Sequence, residues 1–505
     1  MAAAGGPAAK WLGIRPALHR GLTASLFCAL VTAGIAQDAT PPPMRHFLEA
    51  GSRDDEVAGP ALTAIAAAWS DSYTPMLIDL ARLMPGARRG ATPSPGAAAS
   101  LPDDERAARG PEEAGPATPA SPARRRLIAF LEKQTHQRFG DDLNRWRAWM
   151  WTRPANPHPD YAEFKGIVYG QIDPRMREFL PARVATTIRL DEIDWGGVRV
   201  NGIPPLRDPA TVAAKDAAYL KDTNLVFGIT VNGQARAYPK RILAWHEMAI
   251  DRLGGLDLTI VYCTLCGTVI PFESRAAGRL FTFGTSGLLY RSNKLMFDEE
   301  TRSLWSTFEG VPVVGSLVGS GLRLRAHAVV TTTWRDWRTA HPETSVLSLE
   351  TGYQRDYAEG AAYREYFATD RLMFQVSHVD TRLTNKAEVL VMRVPGAQPS
   401  DPSQPVAIDL RVLRKHPVFC FSAGGRRFVT VTTPGGANRV YETRVDFPAQ
   451  PPGPAIADVE GHRWRVTEDA LAREDDRAIP LPRVSAQRAF WFGWYAQFPG
   501  TTLIK

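Results

Sequence analysis

The chain has 505 residues, a net charge of +7 and four cysteines. That length leaves room for a large core plus accessory segments. The charge is small for the size and Arg is interspersed with Asp and Glu, so a nucleic-acid partner is not expected.

Lys10, Arg15 and Arg20 precede an apolar stretch over residues 21–35, and Gly34 and Ala36 stand before Gln37. A basic start, an apolar run and small residues at the exit predict a signal peptide over residues 1–36. The rival is an uncleaved N-terminal membrane anchor, but a span needs about 20 apolar residues. Cys28, with Phe27 before it, does not fit a lipidation site. No later segment is long and apolar enough to span. The mature chain is therefore expected to be exported, periplasmic or extracellular, with no membrane span. Its Cys263, Cys266 and Cys420 would meet an oxidising compartment.

Residues 37–84 are expected to be helical: Ala61, Ile65, Ala68 and Trp69, then Met76, Leu77, Leu80 and Met84, recur at helical spacing. Residues 85–123 are rich in Ala, Pro and Gly with almost no apolar anchor, which predicts a disordered linker. Helical pattern returns over residues 124–184, with a Trp146, Trp149 and Trp151 cluster.

From residue 185 to 505 the texture is short β-type runs broken by Gly, Pro and Asn. Residues 225–231 and 234–238, joined by Asn232-Gly233, predict a hairpin. Pro239 opens a short helix through Met248. Residues 256–262 and 269–272 predict strands on either side of the cysteines; 280–283, 311–314, 388–394, 417–421 and 427–432 predict further ones. The fold class is α+β: a large β-rich main domain with short helices, preceded by a small helical N-terminal region and a disordered linker.

The segment Tyr262-Cys-Thr-Leu-Cys-Gly267 places two thiols three positions apart. The strand-like run after Cys266 differs from a thioredoxin site, where the pair opens a helix. A zinc ribbon needs a second cysteine pair, which the chain lacks. Three readings stay open: a three-ligand metal site, a dithiol–disulfide redox site, or a structural disulfide. His246, in Trp245-His-Glu247 just before the cysteine strand, is the candidate third metal ligand. Two thiolates and an imidazole with a vacant position suit a zinc or copper ion. Glu247 is the candidate base or proton carrier beside Cys263 and Cys266.

A second constellation is Gly284-Thr-Ser-Gly287, followed by Asp298 and Trp305. The glycines let the backbone turn closely about Ser286, so Ser286, Asp298 and Trp305 are candidate cofactor- or ligand-binding residues. Phe283, Trp305 and Trp491 are candidate walls of an apolar pocket. A serine-hydrolase elbow is absent, because Gly287 directly follows Ser286. Cys420, in an apolar strand, reads as a small buried hydrophobe. His327, His341, His378 and His416 show no metal-ligand spacing.

Several ordered segments carry a resemblance. They are Asp222 to Gly233, Ala235-Arg-Ala-Tyr-Pro239, Trp245-His-Glu247, Tyr262 to Gly267, Phe283-Gly-Thr-Ser-Gly-Leu-Leu289, Met296-Phe-Asp298, Thr301-Arg-Ser-Leu-Trp305, Val376-Ser-His378, Lys386-Ala-Glu388 and Arg488 to Trp494. Together they resemble the DUF3179 family over residues 185–505. The resemblance implies an exported bacterial or archaeal domain and names no reaction. Two departures stand out: Thr264 replaces the Pro usual between the cysteines, and Met248-Ala-Ile-Asp251 replaces Ile-Val-Asn-Asp.

The functional expectation is an exported protein with a metal-binding or redox centre on Cys263, Cys266 and His246, a metal- or thiol-dependent oxidoreductase. The alternatives are a non-enzymatic envelope module with a Cys263–Cys266 disulfide, or a metal chaperone. The partner is expected to be a small molecule, a peptide or a glycan.

Overall fold

Helices come first in the chain, and short polar caps start several of them. The computed structural model describes residues 40–84, 120–396, 398, 401–475 and 479–505. The expected signal peptide and residues 85–119 of the expected linker lie outside the described residues. Helices α1 (Met44–Ala50), α2 (Asp55–Ala67) and α3 (Thr74–Leu83) are followed by α4 (Pro122–Thr135), α5 (Leu143–Trp151) and α6 (Tyr161–Gly170). Asp54 caps α2 by accepting from the Glu56 amide, and Asp142 caps α5 by accepting from Asn144 and Arg145. Pro122, in the last residues of the expected linker, instead opens α4, where a missing N–H costs nothing.

These helices share one core with the sheet that follows. Leu77, Leu127, Trp146 and Phe164 pack in the same buried cluster as Ile193, Phe297 and Val314. Buried charges tie the same layers together. Arg82 of α3 and Arg147 of α5 both reach Asp194, at 2.5 and 2.6 Å. Asp194 is 2 % exposed, and it belongs to strand β1 (Ile193–Trp195). Residues Pro41–Lys505 form one compact unit.

Strands β2 (Leu225–Val231) and β3 (Gln234–Pro239) form the expected hairpin. Asn232 and Gly233 take φ of 48° and 79°, the two left-handed positions that a tight two-residue turn demands. Helix α7 (Lys240–His246) follows. It ends two residues before the expected limit, because Met248 starts β4 (Met248–Leu253). The alternating burial of Met248 to Leu253 suits a strand better than a helix. Strands β4, β5 (Leu256–Cys263) and β6 (Thr268–Glu273) form an antiparallel meander, with Leu206–Arg207 parallel at the β4 edge.

A second sheet has the order β1, β7 (Phe283–Tyr290), β8 (Asn293–Asp298), β9 (Leu304–Ser306) and β10 (Val311–Val314). The β7–β8 register shifts between Thr285 and Leu289, an irregularity of the kind a bulge makes. The rest of the chain adds Glu388–Val394, paired with Gln404–Asp409 and Gln487–Phe490, and a seven-stranded sheet between Val418 and Val484. Helix α8 (Trp491–Gln497) follows the strand Gln487–Phe490 and lies on the cysteine turn. The β-rich α+β class with short helices is what the structure shows. Among the described residues no helix is long and apolar enough to cross a membrane.

Candidate active site

Strand β5 ends at Cys263, which pairs with Thr268 of β6, and Thr264 to Gly267 make the turn between them. Gly267 sits at φ 63°, the left-handed region open to glycine. A Cβ there would also lie 3.1 Å from the Phe490 ring. Gly493 allows a similar approach from the other side. A Cβ on it would stand 2.9 Å from the Cys266 Sγ, so only glycine lets α8 press against this thiol. Tyr366 fastens the turn by donating to the Leu265 carbonyl at 2.8 Å.

Both cysteines carry free thiols and are buried, Cys263 at 4 % exposure and Cys266 at 0 %. Their surroundings differ. The Cys266 thiol donates to the Ser292 carbonyl at 3.4 Å and accepts from the Asn293 amide at 3.4 Å. Burial, then the neighbouring Cys263, pushes the Cys266 thiol well above the ordinary thiol range. For Cys263, burial also opposes charge. The hydrogen bond from Cys266, the backbone N–H of Lys294 and the Lys294 ammonium outweigh it and bring Cys263 below the ordinary thiol range, against the pull of Glu247. Their surroundings thus move the two thiols in opposite directions, Cys263 down and Cys266 up.

Glu247 and Lys294 complete the polar ring. Glu247 closes α7 in the left-handed conformation, φ 54° and ψ −2°, although it carries a side chain. Such a residue costs about 1–2 kcal/mol, strain of the kind that collects at functional sites. The backbone turn brings its carboxylate onto three donors. Thr264 donates at 2.5 Å and Tyr363 at 2.9 Å to one oxygen, and Lys294 forms an ion pair with the other. Thr264 thus holds Glu247 through a hydroxyl bond that a proline at this position could not make. Burial, reinforced by Glu247, raises the Tyr363 hydroxyl well above the ordinary phenol range, so it stays a donor.

These groups face a shared cavity of about 40 Å³. Its lining includes Cys263, Glu247, Lys294 and Tyr363, closed by apolar side chains such as Leu265 and Phe374. A few polar groups converging in an apolar hollow is the usual form of a small-molecule site.

The structure sorts the sequence candidates clearly. Cys263, Cys266 and Glu247 are brought together. His246 is not joined to the thiols as a third ligand. Its ring nitrogens meet the Pro204 carbonyl at 3.0 Å and the Tyr357 hydroxyl at 2.6 Å. Among the described residues no three His, Cys, Asp or Glu side chains are arranged to hold a metal ion. The donor set thus does not fit the expected zinc or copper centre: His246 ends α7 with its ring nitrogens on Pro204 and Tyr357.

Ser286, Asp298 and Trp305 are structural rather than ligand-facing. Ser286 is fully buried and donates to the Leu295 carbonyl at 2.5 Å within the β7–β8 pair. Asp298 accepts from Thr301 and from the Trp305 indole, at 2.6 and 2.7 Å. Trp305 packs edge-on to Phe283 at 5.4 Å. Their neighbours Thr285, Gly287 and Leu288 line the cavity instead. The expected pocket walls Phe283, Trp305 and Trp491 do not line it. Cys420 is half-buried, its Sγ 3.6 Å from the Phe447 carbonyl.

Two site residues escaped the sequence reading. Lys294 is the one cation in the wholly buried strand Asn293 to Asp298, a signal that something must pair it. Tyr363 lies in an irregular stretch 100 residues from Cys263 and gave no local signal.

Residues 200–501 match the family model described as "Protein of unknown function (DUF3179)". The chain belongs to this family. No curated protein and no solved structure matches it.

Proposed function

We propose that this DUF3179 protein is an exported thiol oxidoreductase, whose Cys263–Cys266 pair cycles between dithiol and disulfide. The observation that supports this most is the asymmetry of the pair. Cys263 lines the cavity beside Glu247 and Lys294, while Cys266 does not reach it and lies under Gly493 of α8. A thiolate attacks an oxidant, and the second thiol closes the disulfide, so the two cysteines need opposite protonation preferences. Glu247 and Lys294 supply an ion pair beside the reacting sulfur, with Tyr363 and Thr264 fixing its orientation. The basic–apolar–small pattern of residues 1–36 supports export, and export supplies the oxidising setting in which such a couple turns over.

The test is a thiol count on reduced protein before and after hours of exposure to excess diamide, an endpoint that slow entry of a molecule larger than the cavity does not change, with intact mass as second readout. Wild-type protein should lose two thiols and two hydrogens, and recover both with dithiothreitol. Cys263→Ser and Cys266→Ser should lose neither. Retention of both thiols in the wild type, or loss of two thiols in Cys263→Ser, would refute the proposal.

A further inference from the structure

The site's dimensions say more about its oxidant. Resting on the dithiol reading, we infer that the electron acceptor is a small hydroperoxide, hydrogen peroxide or a short-chain alkyl hydroperoxide, with Cys263 as the attacking sulfur and Cys266 as the resolving one.

Size is the first argument. At about 40 Å³ the cavity is well short of the roughly 150 Å³ of a hollow that admits benzene, so a reactant of a few heavy atoms suits it. Exchange with a protein disulfide requires a second peptide to bring its sulfur onto the attacking thiolate. Cys263 is only 4 % exposed, and Cys266 is covered by Gly493 of α8, so the pair offers no surface for such a peptide. An O–O bond is a two-electron acceptor that fits.

Chemistry is the second argument. Lys294 and Tyr363 place an ammonium and a hydroxyl donor around the cavity, held by Glu247, while Leu288, Met373 and Phe374 keep the remainder apolar. The Lys294 ammonium keeps an N–H beyond its bonds to Glu247 to orient a peroxide and serve its leaving oxygen, while the Tyr363 hydroxyl spends its one proton on Glu247. The apolar wall accepts a short alkyl group.

The Cys263 thiolate attacks the terminal peroxide oxygen, an S–O bond forms and the O–O bond breaks. Its electron pair leaves with the second oxygen, which takes a proton from the Lys294 ammonium and departs as water or an alcohol. Cys263 is now a sulfenic acid. The Cys266 sulfur attacks it, forming the disulfide, and the hydroxide released combines with the Cys266 proton as water. Lys294 regains its proton from solvent. Two thiols have given two electrons to one peroxide, and a low-molecular-weight thiol or dithiol returns them.

The experiment mixes the reduced full chain with hydrogen peroxide, tert-butyl hydroperoxide or cumene hydroperoxide, and quenches samples for intact mass. Hydrogen peroxide should oxidise the protein about 10²–10⁴-fold faster than free cysteine at the same pH, the range supplied by positioned proton donors. Wild type should lose two hydrogens, and Cys266→Ser should instead gain one oxygen on Cys263. Cumene hydroperoxide, too large for the cavity, should react about tenfold or more slowly, the usual scale of steric discrimination in an apolar pocket. The relative rate of the tert-butyl compound reports how far an alkyl chain is admitted. Should Cys266→Ser fail to fold, the wild-type rates and masses still decide. A rate no faster than free cysteine overturns the inference, as does an equal rate with cumene hydroperoxide. If diamide forms the disulfide in the same preparation while peroxide stays slow, only the peroxide inference fails. If neither oxidant forms it, the dithiol reading fails too.

Discussion

Opposite effects of two neighbouring substitutions offer the sharpest probe of the site's electrostatics. Lys294 and Glu247 form one buried ion pair, 5 % exposed on both sides, and they act on Cys263 with opposite sign. Lys294→Met removes the ammonium but keeps the side-chain length and the backbone of the strand. An opposite charge within a few ångströms moves a thiol by about 1–3 pH units, and here the ammonium is shared with Glu247, so the lower end applies. The midpoint for thiolate formation should rise by about one pH unit, ~1.4 kcal/mol, a tenfold loss of thiolate below the midpoint. Glu247→Gln frees the ammonium from its partner and removes a like charge, so the midpoint should fall by about the same amount. The assay is thiolate ultraviolet absorbance against pH, with Cys263→Ser subtracted. Shifts in the same direction, or no shift in either variant, would refute the account of the pair.

Three further outcomes follow from other contacts. Asp194→Asn leaves Arg82 and Arg147 buried without their carboxylate and should cost about 3–5 kcal/mol in denaturant unfolding. Although burial opposes it, the two Arg side chains hold the Asp194 carboxyl below the ordinary carboxylate range, so its contribution is present above about pH 4 and is lost as pH falls further. The gap between wild type and Asp194→Asn should therefore narrow in acid. Gly493→Ala puts a Cβ 2.9 Å from the Cys266 Sγ; about 1–3 kcal/mol of overpacking and slower disulfide closure should appear in thermal unfolding and diamide kinetics. His246→Asn should lose about 1–3 kcal/mol with its Pro204 and Tyr357 contacts, yet still form the Cys263–Cys266 disulfide.

Local chemistry made much of this fold legible in advance. Asn232-Gly233 specified its hairpin because two consecutive left-handed residues have few other uses. The apolar run before Cys263 read as a strand because it is buried throughout its second half. The site was legible only where its residues are close in sequence, which is why Cys263, Cys266 and Glu247 emerged together. His246 was misplaced because one residue decides the direction of the chain. Glu247 adopts φ 54° where glycine would be expected, and it, rather than its neighbour, is carried to the cysteine strand. Ser286 was drawn in by flanking glycines that in fact serve close approaches: Gly284 to the Phe297 ring, Gly287 to the Val198 carbonyl. Lys294 and Tyr363 depend on sheet pairing and on a long irregular segment, neither of which has a local signature.

The central claim is that Cys263 and Cys266 form a reversible two-electron couple. Equilibrating the protein in graded mixtures of a reduced and oxidised small thiol, and counting free thiols at each ratio, tests it directly. The expected result is a single two-electron transition with a midpoint between about −300 and −120 mV, the range of working dithiols, abolished in Cys263→Ser. A pair that stays reduced throughout, or a disulfide with a midpoint below about −300 mV as in structural bridges, would contradict it.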